Sequence, residues 1–136
     1  MHLSLKHPCL AAHQAEAVTA AVRTIAESNR IQVIMACGTG KTRVGSAFAL
    51  ETDPATTIVY LPSLALIRQT LPEWLKTPFP GGFDFLCVCS DQTVAQADEA
   101  RVTVEELEQE FGGNQRRVTT NSEAVRDFLE RACARK

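Results

Sequence analysis

Long hydrophobic runs are missing from this 136-residue chain. None approaches the roughly 20 apolar residues a helix needs to cross a bilayer, so no membrane role is expected. A charge excess of one sign is missing as well. Lys and Arg number 14 against 16 Asp and Glu, for a net charge of −2. No global basic field would draw in nucleic acid, and any such binding must rest on local geometry. The N-terminal "MHLSLKHPCLAAHQ" has no charged region followed by a long apolar core, which predicts no secretory leader. The cysteines Cys9, Cys37, Cys87, Cys89 and Cys133 are odd in number and lack metal-site spacing. They read as reduced thiols of a cytoplasmic protein. There is no internal repeat and no low-complexity tract.

What is present is ordinary for a soluble globular domain: 45% hydrophobic and 22% charged residues. The length allows one compact domain with a real core. From about Leu10 to Ser28 the pattern is helical, with Val18, Ala21, Val22 and Ile25 on one stripe and Asn29 as the stop. "IQVIMA" at 31–36 and "TTIVYLP" at 56–62 read as buried parallel strands, and "FDFLCVC" as a third. Between them lie two helices, "KTRVGSAFALE" and "SLALIRQTLPEWLKT". Ser63 is the N-cap of the second and Pro72 a kink or restart point. The alternation predicts an α/β sheet with right-handed crossovers.

After Cys89 the character changes. Residues 1–90 carry seven basic and six acidic side chains; 91–136 carry seven and ten. Most of that acid lies in 91–110, which reads as a solvated segment. Thr103 with Glu106, and Thr120 with Glu123, fit capping boxes for two further helices. "RVTT" between them fits a short strand. The organisation expected is therefore 1–90 as the N-terminal part of one lobe and 91–136 as the acidic segment, short strand and C-terminal helix of the same, incomplete lobe.

"MACGTGKT" at 35–42 carries the chemistry. Gly38 and Gly40 let backbone N–H groups turn inward without Cβ clashes. The helix that begins near Lys41 aims its positive end at the same point. Lys41 adds a cation for the β- and γ-phosphates, and the Thr42 hydroxyl a ligand for Mg²⁺. Cys37, Thr39 and Arg43 complete the cradle, Cys37 as a small loop residue. The general pattern opens on Gly or Ala, where this chain has Met35. Cys87 and Cys89 alternate onto one strand face and read as core thiols, since no further metal ligands accompany them. Ser90 and Asp91 fall at the carboxyl edge of the sheet.

Taken together, "IMACGTGKT", "IVYLPSLALIRQTLPEW" and "LCVCSD" resemble the N-terminal motor lobe of superfamily 2 DEAD/DEAH-type helicases. Within these, the helicase subunit of type III restriction enzymes is the related group. The resemblance implies a partial RecA-like P-loop domain that uses ATP and Mg²⁺ and acts on nucleic acid, DNA above all. It implies that Ser63 and Gln69 touch the nucleic-acid backbone and that Gln14 reads the adenine edge. Ala11 and Ala12 stand where the family has Arg-Pro, and His13 reads as a surface residue. "DEAR" at 98–101 imitates the family's carboxylate motif, but no buried strand precedes it. A carboxylate on a second strand and the second lobe's arginine are thus expected from elsewhere, by continuation of the gene or from a partner chain. The alternative is a stand-alone, non-enzymatic nucleotide-binding or regulatory module. A small phosphotransferase fits least, for want of a lid or base.

Overall fold

The computed structural model describes residues 5–7, 9–89, 102–113 and 117–134. Among them are helices α1 (Ala12–Ile25), α2 (Lys41–Thr52), α3 (Leu64–Leu75), α4 (Val104–Phe111) and α5 (Ser122–Ala134). Strands β1 (Cys87–Val88) and β2 (Val118–Thr119) pair in parallel, Cys87 opposite Val118 and Val88 opposite Thr119. The class is α/β, as expected. No helix among the described residues is long and apolar enough to cross a membrane. Contacts divide the chain into two compact units. One holds the described residues up to Thr57 with Thr70–Gly82; the other holds Ile58–Gln69 and those from Phe83 onward.

In the first unit, α1 packs on α2 because each carries a stripe of small apolar side chains. Val18, Val44 and Ala47 form its buried centre, and Leu5, Leu10, Ala17, Val22 and Met35 pack around them. α1 stops at Ile25, short of Asn29, where the Glu27 N–H turns back onto the Thr24 carbonyl at 3.1 Å. At the far end of α2, the Lys6 ammonium reaches the Leu50 carbonyl at 3.2 Å. A cation there meets the negative end of the helix and its orphan carbonyls. The fully buried Ser46 hydroxyl accepts from Thr77 at 2.9 Å and donates to the Arg43 carbonyl at 3.2 Å. That chain satisfies two polar groups that burial would otherwise penalise.

The second unit is built around Leu64, Leu107 and Val118, with Ile67, Cys87, Cys89 and Phe111 against them. Leu107 reaches that centre because α4 starts where expected. The Thr103 hydroxyl accepts from the Glu106 N–H and the Glu106 carboxylate accepts from the Thr103 N–H, both at 3.2 Å. α3 is likewise capped by Ser63, whose hydroxyl accepts from the Leu66 N–H at 3.3 Å. α3 runs through Pro72 without a restart. α5 departs from expectation: its cap is Asn121, whose side chain accepts from the Glu123 N–H at 2.8 Å, and not Thr120.

The larger correction concerns the sheet. Residues 31–36 and 56–62 belong to no strand, and only Cys87–Val88 of the third run is paired. Ile34 is 86% exposed, Ile58 68% and Tyr60 89%. Apolar, β-branched composition records a fit to a pleated, covered surface. A strand also needs a neighbour to bond to, and no described residue pairs with either run. "DEAR", Ser90 and Asp91 lie outside the described residues.

Burial pushes the Cys87 thiol up from 9.0 to about 11, with repulsion from Cys89 adding to it. Between those values the folded chain holds a proton that the unfolded chain has lost, so stability falls as pH rises through this window and is intact below it. Urea unfolding should show that fall in the wild type and a smaller one in Cys87→Ala. At about pH 8, iodoacetamide should modify exposed Cys9 and Cys37 before Cys87.

Candidate functional site

The loop at 35–40 lies between α1 and the start of α2, and its polarity is set by where its carbonyls go. The Lys41 ammonium donates to the Met35 and Ala36 carbonyls at 3.1 and 2.9 Å. The Thr39 hydroxyl donates to Ala36 at 2.7 Å. The Thr39 carbonyl accepts from the Gln14 amide at 3.0 Å and from the His13 ring at 3.2 Å. The N–H groups of Gly40, Lys41, Thr42 and Arg43 have no acceptor among the described residues, and α2 has no side-chain cap. The Met35, Ala36 and Thr39 carbonyls are therefore engaged while these four amides have no acceptor among the described residues, the arrangement that favours an anion at a helix start. Gly38 and Gly40 sit at φ of 76° and 84°, values that a Cβ makes costly.

Gln14 is 8% exposed, so it is no residue of an open helix face. Its oxygen accepts from the Ala11 N–H at 3.1 Å while its nitrogen holds Thr39. One N–H and one lone pair remain. Arg43 points to α3: its guanidinium meets the Glu73 carboxylate at 3.2 Å, and Lys76 meets the same carboxylate at 3.1 Å. Hydrogen bonds from Lys76 and Arg43 hold the Glu73 carboxyl below the usual range. Burial, then Arg43, holds His7 below the ordinary imidazole value against the opposing pull of Glu51. Cys37 is exposed in the loop and Thr42 half-buried at the first turn of α2. A cleft of 610 Å³ runs between α1 and residues 31–36 and ends at Thr39, with His13, Glu16 and Gln32 among the polar side chains on its wall. Ser63 and exposed Gln69 belong to the second unit, at the start and middle of α3.

Residues 8–126 match the family model of the type III restriction enzyme res subunit. The chain belongs to this family. Comparison with curated proteins gives no match, and comparison with solved structures gives none. Membership makes this a helicase-like P-loop domain. The donor set suits the phosphates of the ATP that this family generally uses with Mg²⁺, since an ammonium and four N–H groups without an acceptor among the described residues offer a phosphate several charge-assisted bonds. Mg²⁺ is a hard cation that takes oxygen ligands, and the Thr42 hydroxyl is an oxygen donor at the first turn of α2.

Two residues near the site were not singled out from sequence. His13 reads from the sequence as a surface residue and is exposed in the structure, and only the fold brings Thr39 to it. Glu73 carries no motif at all; its charge, 30 positions beyond Arg43, becomes meaningful through helix packing.

A Cβ at Gly40 would stand 2.4 Å from the Gln14 nitrogen, whereas one at Gly45 meets nothing within 4 Å. Gly40→Ala should cost about 1–3 kcal/mol in urea unfolding. Gly45→Ala, inside α2 with ordinary helical geometry, should gain about 0.5–1 kcal/mol.

Proposed function

We infer that this chain is the ATP-binding portion of a nucleic-acid helicase or translocase motor. The observation that carries the reading is the loop in which the amides from Gly40 to Arg43 have no acceptor among the described residues while Lys41 stands at the Met35 and Ala36 carbonyls. In this reading Gly38, Thr39 and Gly40 shape the cradle, with Cys37 beside them. Lys41 exchanges its carbonyl partners for β- and γ-phosphate oxygens, and Arg43 adds a second positive charge near the helix start. Thr42 offers its hydroxyl to Mg²⁺, whose chemistry there is to neutralise charge on the phosphate oxygens. The remaining N–H and lone pair of Gln14 match the N7 and N6 positions of adenine. Ser63 and Gln69 meet the DNA backbone, by hydroxyl and amide donation to phosphate.

The reading extends to what the chain does alone, which is to hold nucleotide without turning it over. Support comes from Ile34, Ile58 and Tyr60, whose exposure leaves apolar surface for further sheet and core elements to cover. Among the described residues, no group of three His, Cys, Asp or Glu side chains could itself hold a metal ion. A carboxylate and an arginine from another segment or a partner chain complete the motor.

Calorimetry of the 136-residue chain with Mg-ATP should show binding that Lys41→Ala weakens by about tenfold or more. Equal affinity in the variant would sink the assignment of the loop. Phosphate release by the isolated chain should stay at background, and steady turnover would overturn the claim that further parts are needed.

A further inference from the structure

The Thr39–Gly40 peptide can face either way, because glycine accepts both signs of φ at little cost. Which way it faces decides whether the loop shows a visitor an N–H donor or a carbonyl oxygen. A trans peptide is planar, with C=O and N–H on opposite edges, and no described peptide bond is cis. Here the Thr39 carbonyl is turned toward α1, where it takes one hydrogen bond from Gln14 at 3.0 Å and a second from the His13 Nε2 at 3.2 Å. Because a carbonyl only accepts, the His13 ring donates, and its Nε2 carries the proton. Two donors occupy both lone pairs of that oxygen. The Gly40 N–H is thereby turned away from α1, with no acceptor among the described residues.

We propose that His13 is a positioning residue for phosphate: together with Gln14 it pins the Thr39 carbonyl and so presents the Gly40 N–H as a phosphate donor. Gln14 is buried and braced by Ala11, which makes it the fixed half of the clamp. His13 is exposed and sits on the first turn of α1, so its packing contribution is small and its contact with Thr39 is its chief structural tie. The effect is on phosphate and not on the base. Removing His13 leaves Gln14 alone to hold the peptide and so favours its rotation, and a rotated peptide would aim a carbonyl oxygen at an anion.

This inference rests on the phosphate reading of the loop, and the test separates the two. Inorganic pyrophosphate, ATP, GTP and adenosine are titrated into the wild-type chain, His13→Ala and His13→Gln. Loss of one hydrogen bond corresponds to about a three- to tenfold drop in affinity. His13→Ala should show that drop equally for pyrophosphate, ATP and GTP, with adenosine unchanged. His13→Gln, which restores a side-chain donor, should recover most of it. In the nucleotide-free chain, the Gly40 amide resonance should move in His13→Ala and return in His13→Gln. A wild-type chain that binds no pyrophosphate defeats the phosphate reading and this inference with it. Pyrophosphate binding that survives His13→Ala at full strength, with an unmoved Gly40 resonance, defeats the positioning role alone. A loss confined to ATP and adenosine assigns His13 to the base and likewise overturns the proposal.

Discussion

The polarity of the loop at 35–40 depends on a simple accounting of backbone groups. Each carbonyl that turned inward would repel an anion, and each amide that turned inward would attract one. Side-chain donors from Lys41, Thr39, Gln14 and His13 engage the Met35, Ala36 and Thr39 oxygens. The amides at the start of α2 are left without partners among the described residues. A concentrated positive end results from neutral peptide groups and a single ammonium, in a chain whose net charge is −2.

That accounting depends on the packing of α1 against α2. Val18 and Ala47 are fully buried, and their small volumes let the helices lie close enough for Gln14 to reach Thr39. The same helix α2 is tied on its other side by the Arg43–Glu73 pair and the Ser46–Thr77 hydroxyls. The hydroxyl pair is buried and satisfied, so it favours one register for Thr77. The ion pair is half-exposed, so its contribution to stability is small, in the range of about 0–1 kcal/mol. Its interest lies in occupying Arg43, a cation one residue beyond Thr42.

The second unit shows how few elements a local core requires. Two strands of two residues each are marginal by themselves. Leu64 and Leu107 from two helices cover Val118, and the Arg117 guanidinium lies 4.6 Å above the Phe85 ring while it pairs with Asp84 at 3.1 Å. Cation–ring contact and ion pair together hold the entry to β2, beside the Cys87 N–H that donates to the Arg117 carbonyl at 2.7 Å.

Local rules were legible without coordinates. The glycine spacing in "CGTGKT", the capping pair Thr103 and Glu106, and the Ser63 cap each involve groups within a few positions, where chain geometry leaves little choice. Distant partners decided the rest. Residues 31–36 and 56–62 have strand composition, yet hydrogen bonding to a neighbour defines a strand, and that neighbour is a matter of tertiary structure. Asn121 displaced Thr120 as a cap by a shift of one residue, which the pattern alone does not resolve. Gln14 and His13 are adjacent on α1, one buried and one exposed, and both meet a carbonyl 25 or 26 positions away. The sequence by itself determined that a tight glycine loop would form between a helix and its successor, because glycine placement is a local constraint. Only the tertiary structure decided which way the Thr39–Gly40 peptide faces, because the donors that turn it arrive from another helix.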